Sequence, residues 1–170
     1  MSITNVWKID PSQSKIAFKV GYMQLGVITG EFRRFDGRVE SDDVFDELAV
    51  DMTVDPLSVT TFHSLRDEGL LAADVFDAFA FPNIRFVSTH FLRISTGGLF
   101  ELAGLLTIRD STLPLQLMVS LVSLTATEAV FKFSGNLSRG AFGLGGAATP
   151  GQESIADSVA FFGEMEIRRG

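Results

Sequence analysis

Alternation of apolar and polar residues with a period of two runs through most of this 170-residue chain and restricts its fold more than any other feature. Residues 15–23 place Ile16, Phe18 and Val20 on one face and lysines on the other, and residues 48–54 alternate in the same way. Such segments are typical of half-buried strands. Continued along the chain, the pattern predicts about eight antiparallel strands and therefore a mainly β fold.

One segment, residues 58–89, departs from this alternation and is predicted to contain one or two short helices around residues 64–80. Ser64 is followed three residues later by Asp67, a pattern in which side-chain oxygens accept hydrogen bonds from the free amides of the first helical turn. The first helix is therefore predicted to begin near Leu65.

Two short helices are preferred over one, because Gly69 weakens a continuous helix and Asp74 can cap a second. Pro82 ends the segment, since the residue before a proline avoids the helical region. An apolar stripe is predicted to pack beside the strands and to wall the interior, and it consists of Leu71, Val75, Phe76 and Phe79, with Ala72 beside it.

The strand pattern leaves one alternative open before the helical segment. In residues 27–41 its phase slips between Phe32 and Phe35, which indicates either a bulge or a hairpin turn at Asp36-Gly37. After the helical segment, Gly97-Gly98 predicts a tight hairpin turn. The strand before that turn is predicted to place four residues on one face: Ile84, Phe86, Ser88 and His90.

Residues 99–109 and 113–125 are apolar on both faces, so both segments are predicted to be covered on two sides. Their outward faces also permit a homodimer formed through an exposed apolar patch.

Size and charge bound the class of protein. The length fits a single domain, residues 1–170, and no apolar run reaches the 18 or more residues of a membrane span. A net charge of −7 argues against nucleic acid as a partner, because phosphate binding needs clustered Lys and Arg. Residues 1–10 resemble no signal peptide, so we expect a cytoplasmic protein, or a periplasmic one if Met1 is not the native start.

Catalytic and metal-binding patterns are weak. Cysteine is absent, and His63 and His90 are the only two histidines, so we expect no metal site. Residues 143–151 are rich in glycine but lack the Lys and Ser/Thr of a phosphate-binding loop, which favours a plain connector. No G-x-S-x-G motif occurs, and an enzyme is not expected. An alternative is an enzyme that acts on a lipid head group through Ser88, His90 or Arg66.

Aromatic usage is lopsided, with 16 Phe against one Trp and one Tyr. Phenylalanine gives large apolar area without a polar group, which fits either a filled core or an apolar cavity. Barrels of eight strands have the size that either fills with side chains or holds one small ligand. From strand and helix phase, the residues predicted to contact an apolar ligand are Phe18, Val20, Phe32, Met52, Val54, Phe76, Phe86, Leu106, Leu117, Phe131, Phe133 and Phe161.

Several motifs spread over nearly the whole chain resemble the YceI-like family of lipocalin-like, polyisoprenoid-binding barrels. They are W-x-I-D at Trp7–Asp10, then Gly30, Phe32, Phe35 and Gly37, a central block of Ser58, Thr61, Arg66-Asp67, Leu70, Asp74, Phe76-Asp77, Phe81-Pro82, Phe86 and Ser88-Thr89, and finally Gly104, Leu106-Thr107-Ile108, Thr112, Pro114, Arg139 and Phe142-Gly143. The chain departs from the family pattern at Tyr22, Gly69 and Asp110.

The resemblance implies an eight-stranded antiparallel lipocalin-like barrel with short helices beside it. It also implies binding, carriage or sensing of a polyisoprenoid, such as an isoprenoid quinone or a prenyl phosphate, with no cofactor and no established reaction. The alternatives are an interaction module with a filled core, or the enzyme considered above.

Overall fold

The alternating segments form one closed antiparallel sheet in the computed structural model, which describes residues 5–22, 26–73, 75–95, 97–144 and 155–170. Each long strand turns one row of side chains toward the inside of this sheet, as a period of two requires.

The described residues contain one α-helix, α1 (Ser64–Leu71), and two 3-10 turns, Pro11–Gln13 and Pro56–Ser58. They also contain eleven strands, which in chain order are β1 (Asn5–Ile9), β2 (Lys15–Tyr22), β3 (Gly26–Phe32), β4 (Phe35–Ser41), β5 (Leu48–Val54), β6 (Val59–Thr60), β7 (Ile84–Arg93), β8 (Leu99–Ile108), β9 (Ser111–Leu124), β10 (Glu128–Ser138) and β11 (Ile155–Arg169).

Three pairs of these strands each act as one interrupted strand. β1 and β2 both pair with β11, while β4 pairs with β1 and β5, and β3 pairs with β2 and β6. Counting β1/β2, β3/β4 and β5/β6 once each gives eight strands, with β11 closing the sheet against β1/β2. The predicted fold class, a mainly β, eight-stranded antiparallel barrel, is confirmed.

The phase slip between Phe32 and Phe35 has a different cause from either alternative considered above. Asp36 and Gly37 lie inside β4 in regular register with β5, so the predicted turn there is wrong. The interruption between β3 and β4 shifts the phase instead, and both phenylalanines keep their side chains in the core.

The hairpin at Gly97-Gly98 is confirmed, with a φ of +87° at Gly98 that favours glycine. The strand before it is only partly as predicted. A bulge in β7 between Ser88 and His90 shifts the register against β8, which leaves His90 exposed and puts Phe91 against the core.

The upper end of the barrel is defined as the end at which β5, β8 and β10 terminate. The opposite, lower end is closed by large side chains that are at most 1% exposed, namely Trp7, Phe45, Phe100 and Ile167. The indole of Trp7 packs 5.6 Å from the ring of Phe45 and donates a hydrogen bond of 2.9 Å to Oγ of Ser41. Its polar atom is therefore satisfied although it is buried.

The insertion between β6 and β7 lies at the upper end. His63, and not the predicted Ser64, caps α1, because its Nδ1 accepts the hydrogen bond of the Arg66 amide at 3.3 Å. The second predicted helix is replaced by turns after Ala72, where Asp77 adopts a φ of +44°. The predicted cap Asp74 lies outside the described residues.

These turns explain why the predicted apolar stripe is only partly right. Val75 is buried, and Phe76 packs edge-on against Phe32 with 5.8 Å between ring centroids. Phe79, in contrast, is 83% exposed, because the helix has ended and its periodicity no longer applies. Leu70 packs against the core from α1 and also lines the interior described below, whereas Leu71 does neither.

Residues 99–109 and 113–125 were predicted to be covered on two sides. No described part of the chain covers the outer faces of β8 and β9. Leu105, Met118 and Val122 point outward and are 42%, 37% and 53% exposed. Among the described residues, no helix is long and apolar enough to span a membrane.

Candidate functional site

The inner faces of the strands enclose a cavity of about 260 Å³. Residues from nearly every long strand line it, together with Leu70, Val75 and Phe76 of the insertion. All of its lining residues are apolar except Thr61, Arg66 and Arg139. The barrel interior is therefore hollow above its closed lower end, and the wall of the hollow is almost entirely hydrocarbon.

The residues predicted to contact an apolar ligand all lie at the wall of this cavity, and they are Phe18, Val20, Phe32, Met52, Val54, Phe76, Phe86, Leu106, Leu117, Phe131, Phe133 and Phe161. Strand phase was sufficient to place most of them, because every second residue of a barrel strand points inward. Their contact with a ligand stays a prediction.

The cavity is elongated along the barrel. On β8 its lining extends from Leu102 to Ile108, a separation of about 20 Å along a strand at roughly 3.3 Å per residue. A strand tilt of about 35–45° reduces this to about 15 Å along the axis. The space therefore suits a chain-like occupant better than a broad, flat one.

Phenylalanine rings of the cavity wall lie in close contact with glycines on neighbouring strands. Gly135 pairs with Phe161 across β10 and β11, and a methyl group added at Gly135 would lie 2.5 Å from Cζ of that ring. Gly163 and Phe133 are paired in the same way, as are Gly30 and Phe18. Gly104 pairs with Ser88, but its nearest ring is that of Phe86 on the same neighbouring strand. Each of these glycines leaves room for a ring beside the wall. A side chain in its place would displace the ring.

Two of the three polar residues of the wall, Thr61 and Arg66, lie in the insertion between β6 and β7. Nε of Arg66 donates to Oγ1 of Thr61 at 2.8 Å, and its Nη2 donates to the Thr61 carbonyl at 3.0 Å. Asp67 accepts hydrogen bonds from the amide and the hydroxyl of Thr61, at 2.8 and 2.5 Å. Thr61 therefore positions the side chains of both Arg66 and Asp67.

Arg139 follows β10 at the same end of the barrel and is only 7% exposed. Its Nη1 donates to the carbonyls of Ile155 and Ala156 at 3.1 and 3.2 Å. Burial lowers the pKa of this guanidinium, and the nearby Asp157 carboxylate opposes the shift. Arginine nevertheless keeps its charge at any physiological pH, so a cation stands at the wall of an apolar cavity.

Asp157 organises the turn that carries Arg139. It accepts hydrogen bonds from Oγ of Ser138 at 2.6 Å and from the amide of Gly140 at 2.7 Å. These bonds, led by the one from Ser138, hold the pKa of its carboxyl below the ordinary value.

The wall residues that sequence reasoning missed include Leu70, Thr61 and Arg139. Leu70 and Arg66 are four residues apart on α1 and so share its inner face, a relation that the predicted stripe through Leu71 obscured. Arg139 belongs to a family motif but carries no local signal, because its place at the wall depends on hydrogen bonds to the start of β11.

The residues considered for catalysis are not brought together. Oγ of Ser88 accepts the hydrogen bond of the Val50 amide at 2.8 Å, while His90 is exposed and its ring lies 3.1 Å from the hydroxyl of the neighbouring Thr89. Among the described residues, no three His, Cys, Asp or Glu side chains cluster as metal ligands would. The connector predicted at 143–151 lies largely outside the described residues.

Solved structures share this architecture. BcnA of Burkholderia cenocepacia superposes with a TM-score of 0.84 at 22% identity, over 93% of this chain and 98% of that one. A polyisoprenoid binding domain from Saccharophagus degradans gives a TM-score of 0.77 at 13% identity, over 96% of this chain and 98% of that domain.

Sequence comparison agrees with the shared architecture. A UPF0312 protein of Vibrio cholerae is 31% identical over 105 residues, which are 61% of this chain and 55% of that protein. The match thus spans about half the length of that relative. The family model of the YceI-like domain matches residues 7–167, from the first strand of the barrel to the last. The chain belongs to the YceI-like domain family.

Proposed function

We propose that this protein binds and carries a long apolar ligand of the polyisoprenoid class inside its barrel. The observation that carries the proposal is the elongated cavity, whose wall is apolar except at Thr61, Arg66 and Arg139. A cavity with this wall selects by shape and hydrophobicity. It needs neither a cofactor nor a metal.

The energetics of such a site are favourable for a chain-like ligand. Burying a hydrocarbon chain gains about 0.8 kcal/mol per methylene, so a chain that runs the length of the cavity gains on the order of 10 kcal/mol. Association costs about 4–15 kcal/mol before any affinity remains. A preformed cavity keeps that cost low, because few side chains need to be ordered on binding.

The family supports the ligand class. The Saccharophagus degradans structure is a polyisoprenoid binding domain, and it shares the barrel over nearly the whole of both chains. A filled-core interaction module fits the structure less well, since it has no use for the hollow interior. An enzyme fits less well too, because Ser88, His90 and Arg66 do not converge.

Two neighbouring residues of β9 allow a matched test. Leu117 points into the cavity, whereas Met118 points outward and is 37% exposed. We expect Leu117→Trp to fill the hollow and weaken binding of geranylgeraniol at least tenfold, and Met118→Trp to bind it like the unchanged protein. Circular dichroism shows whether both variants are folded, and native mass spectrometry of the purified protein shows whether a long-chain lipid is retained.

Two results would count against the proposal. One is that the unchanged protein, stripped of lipid by solvent extraction, binds neither geranylgeraniol nor another long prenyl chain. The other is that a folded Leu117→Trp variant binds with unchanged affinity, since the ligand would then lie outside the cavity.

A further inference from the structure

The cavity combines a hydrocarbon wall with two guanidinium groups at one end. Arg66 lies on the insertion between β6 and β7, and Arg139 lies directly after β10, so both belong to the upper end of the barrel. Among the described residues, no Asp or Glu side chain lines the cavity. The charged side chains that the described residues contribute to the wall are therefore all positive.

Arg66 keeps donor capacity that its protein contacts do not use. Its Nε and Nη2 are held by Thr61, and none of the ion pairs between described residues includes Arg66. A guanidinium carries five N–H donors in a rigid fork. The two bonds to Thr61 fix the direction of that fork and leave further donors for another acceptor.

Arg139 is built into the wall more deeply. Its exposure is only 7%, and two backbone carbonyls of β11 hold one of its terminal nitrogens. Burying a cation beside hydrocarbon is costly unless an opposite charge or acceptors offset it. Asp157 supplies part of that offset from outside the cavity.

We infer that the ligand is an anionic amphiphile, whose phosphate or carboxylate head lies at the upper end against Arg66 and Arg139 while its prenyl tail fills the barrel. This inference rests on the proposed function and specifies the head group. Arginine pairs with phosphate and carboxylate oxygens through parallel, charge-assisted hydrogen bonds, which are stronger than bonds between neutral groups. A neutral alcohol head makes only the weaker kind, and an ammonium head is repelled.

The negative net charge of the chain does not prevent an anionic head group from binding inside the cavity. The net charge of −7 is spread over the surface, and salt screens such charges beyond about 8–10 Å. The guanidinium groups act at hydrogen-bond distance and in a less polar medium, where a single charge has more effect.

Four probes that share one tail and differ in head group distinguish the contribution of the head to affinity from that of the tail. They are geranylgeranyl phosphate, geranylgeranoic acid, geranylgeraniol and geranylgeranylamine. We expect at least one of the two anions to bind the unchanged protein about tenfold or more tightly than the alcohol, as one charge-assisted hydrogen bond implies, and the amine to bind most weakly. Which anion binds more tightly distinguishes a phosphate from a carboxylate as the natural head.

Variants test the assigned residues. Arg66→Gln is expected to weaken binding of the anion more than binding of the alcohol and so to reduce the ratio of their affinities at least fivefold. Arg66→Lys, which keeps the charge, is expected to preserve most of the ratio. Arg85→Gln removes an equal charge from the outer surface, where that residue pairs with Asp51 at 2.7 Å, and is expected to leave the ratio unchanged.

The outcomes separate the two claims. Equal binding of the anions and the alcohol by the unchanged protein overturns the anionic assignment and leaves the carrier function standing. A preference that survives in both Arg66→Gln and Arg139→Gln overturns the assignment of the residues. No binding of any of the four probes overturns the proposed function itself.

Discussion

Replacing Gly135 with alanine tests whether the glycine contacts keep the cavity open. The added methyl group would lie 2.5 Å from Cζ of Phe161 and 3.1 Å from both the Gln116 carbonyl oxygen and Cδ2 of Leu117. Carbon atoms in contact prefer about 3.5–4.0 Å. The ring of Phe161 must therefore move by about 1 Å, and the open direction is toward the cavity.

The expected cost follows from two opposing terms. Overpacking a well-ordered core costs about 1–3 kcal/mol, whereas a Gly→Ala change at a compatible position gains about 0.4–1 kcal/mol from the unfolded chain. We therefore expect Gly135→Ala to lower the free energy of unfolding by about 1–2 kcal/mol. The displaced ring also occupies ligand space, so binding of geranylgeraniol is expected to weaken.

A double-mutant cycle with Phe161→Leu isolates the contact. Leucine lacks the ring atom that meets Gly135, so the alanine is expected to cost at least about 1 kcal/mol less in the Phe161→Leu background, within the range of coupling energies between touching residues. Some cost remains from Gln116 and Leu117. Urea unfolding followed by fluorescence measures all four proteins, since Trp7 is the one tryptophan and is fully buried.

Gly26→Ala is the matched control, because Gly26 also lies in a strand and a methyl group there would meet nothing within 4 Å. It is expected to leave stability unchanged or slightly raised. The reasoning fails if Gly135→Ala costs the same with and without the Phe161→Leu substitution, or if it costs no more than Gly26→Ala.

Three further predictions concern the ends and the outside of the barrel. The pKa of Asp157 is lowered in the folded state, so its ionised form stabilises the protein above the unfolded pKa near 3.8. Asp157→Asn should therefore lower the free energy of unfolding at pH 7, as measured by urea unfolding. The difference between the two proteins should shrink as the pH falls below about 4. Trp7→Phe should cost about 1–3 kcal/mol by leaving the buried Ser41 hydroxyl unpaired, and adding Ser41→Ala should recover part of that loss if the 2.9 Å hydrogen bond is its cause. We also expect a dimer through the exposed outer faces of β8 and β9; sedimentation equilibrium should show it and Met118→Lys should dissociate it, whereas a monomer at all concentrations would exclude it.

The barrel and part of its wall could be predicted because their signal is local. A period of two decides which face of a strand is apolar, and in this barrel the more apolar face of the strands is the inner one. This is why residues as far apart in sequence as Phe18, Leu106 and Phe161 were assigned to one surface without knowledge of their pairing.

Most of the features that could not be predicted depend on contacts between strands rather than on local sequence. The bulge after Ser88 turns His90 outward, and no residue type near it announces an extra residue in the strand. The position of Gly135 opposite Phe161 is a matter of register between β10 and β11. At the helix start, His63 competes successfully with Ser64, although serine is the commoner cap.

The lopsided aromatic composition has a physical reason in this architecture. A phenylalanine ring can pack against a glycine and face a hydrocarbon cavity, because it has no polar atom to satisfy. A tryptophan or tyrosine at the same wall would leave its N–H or O–H without an acceptor over most of the cavity's depth. The one tryptophan lies instead at the closed lower end, where Ser41 accepts its N–H. A filled core tolerates other large apolar residues equally well, whereas a cavity wall in which rings pack against glycines favours the flat, wholly apolar side chain. The count of 16 Phe in the sequence thus fits a hollow barrel better than a filled one.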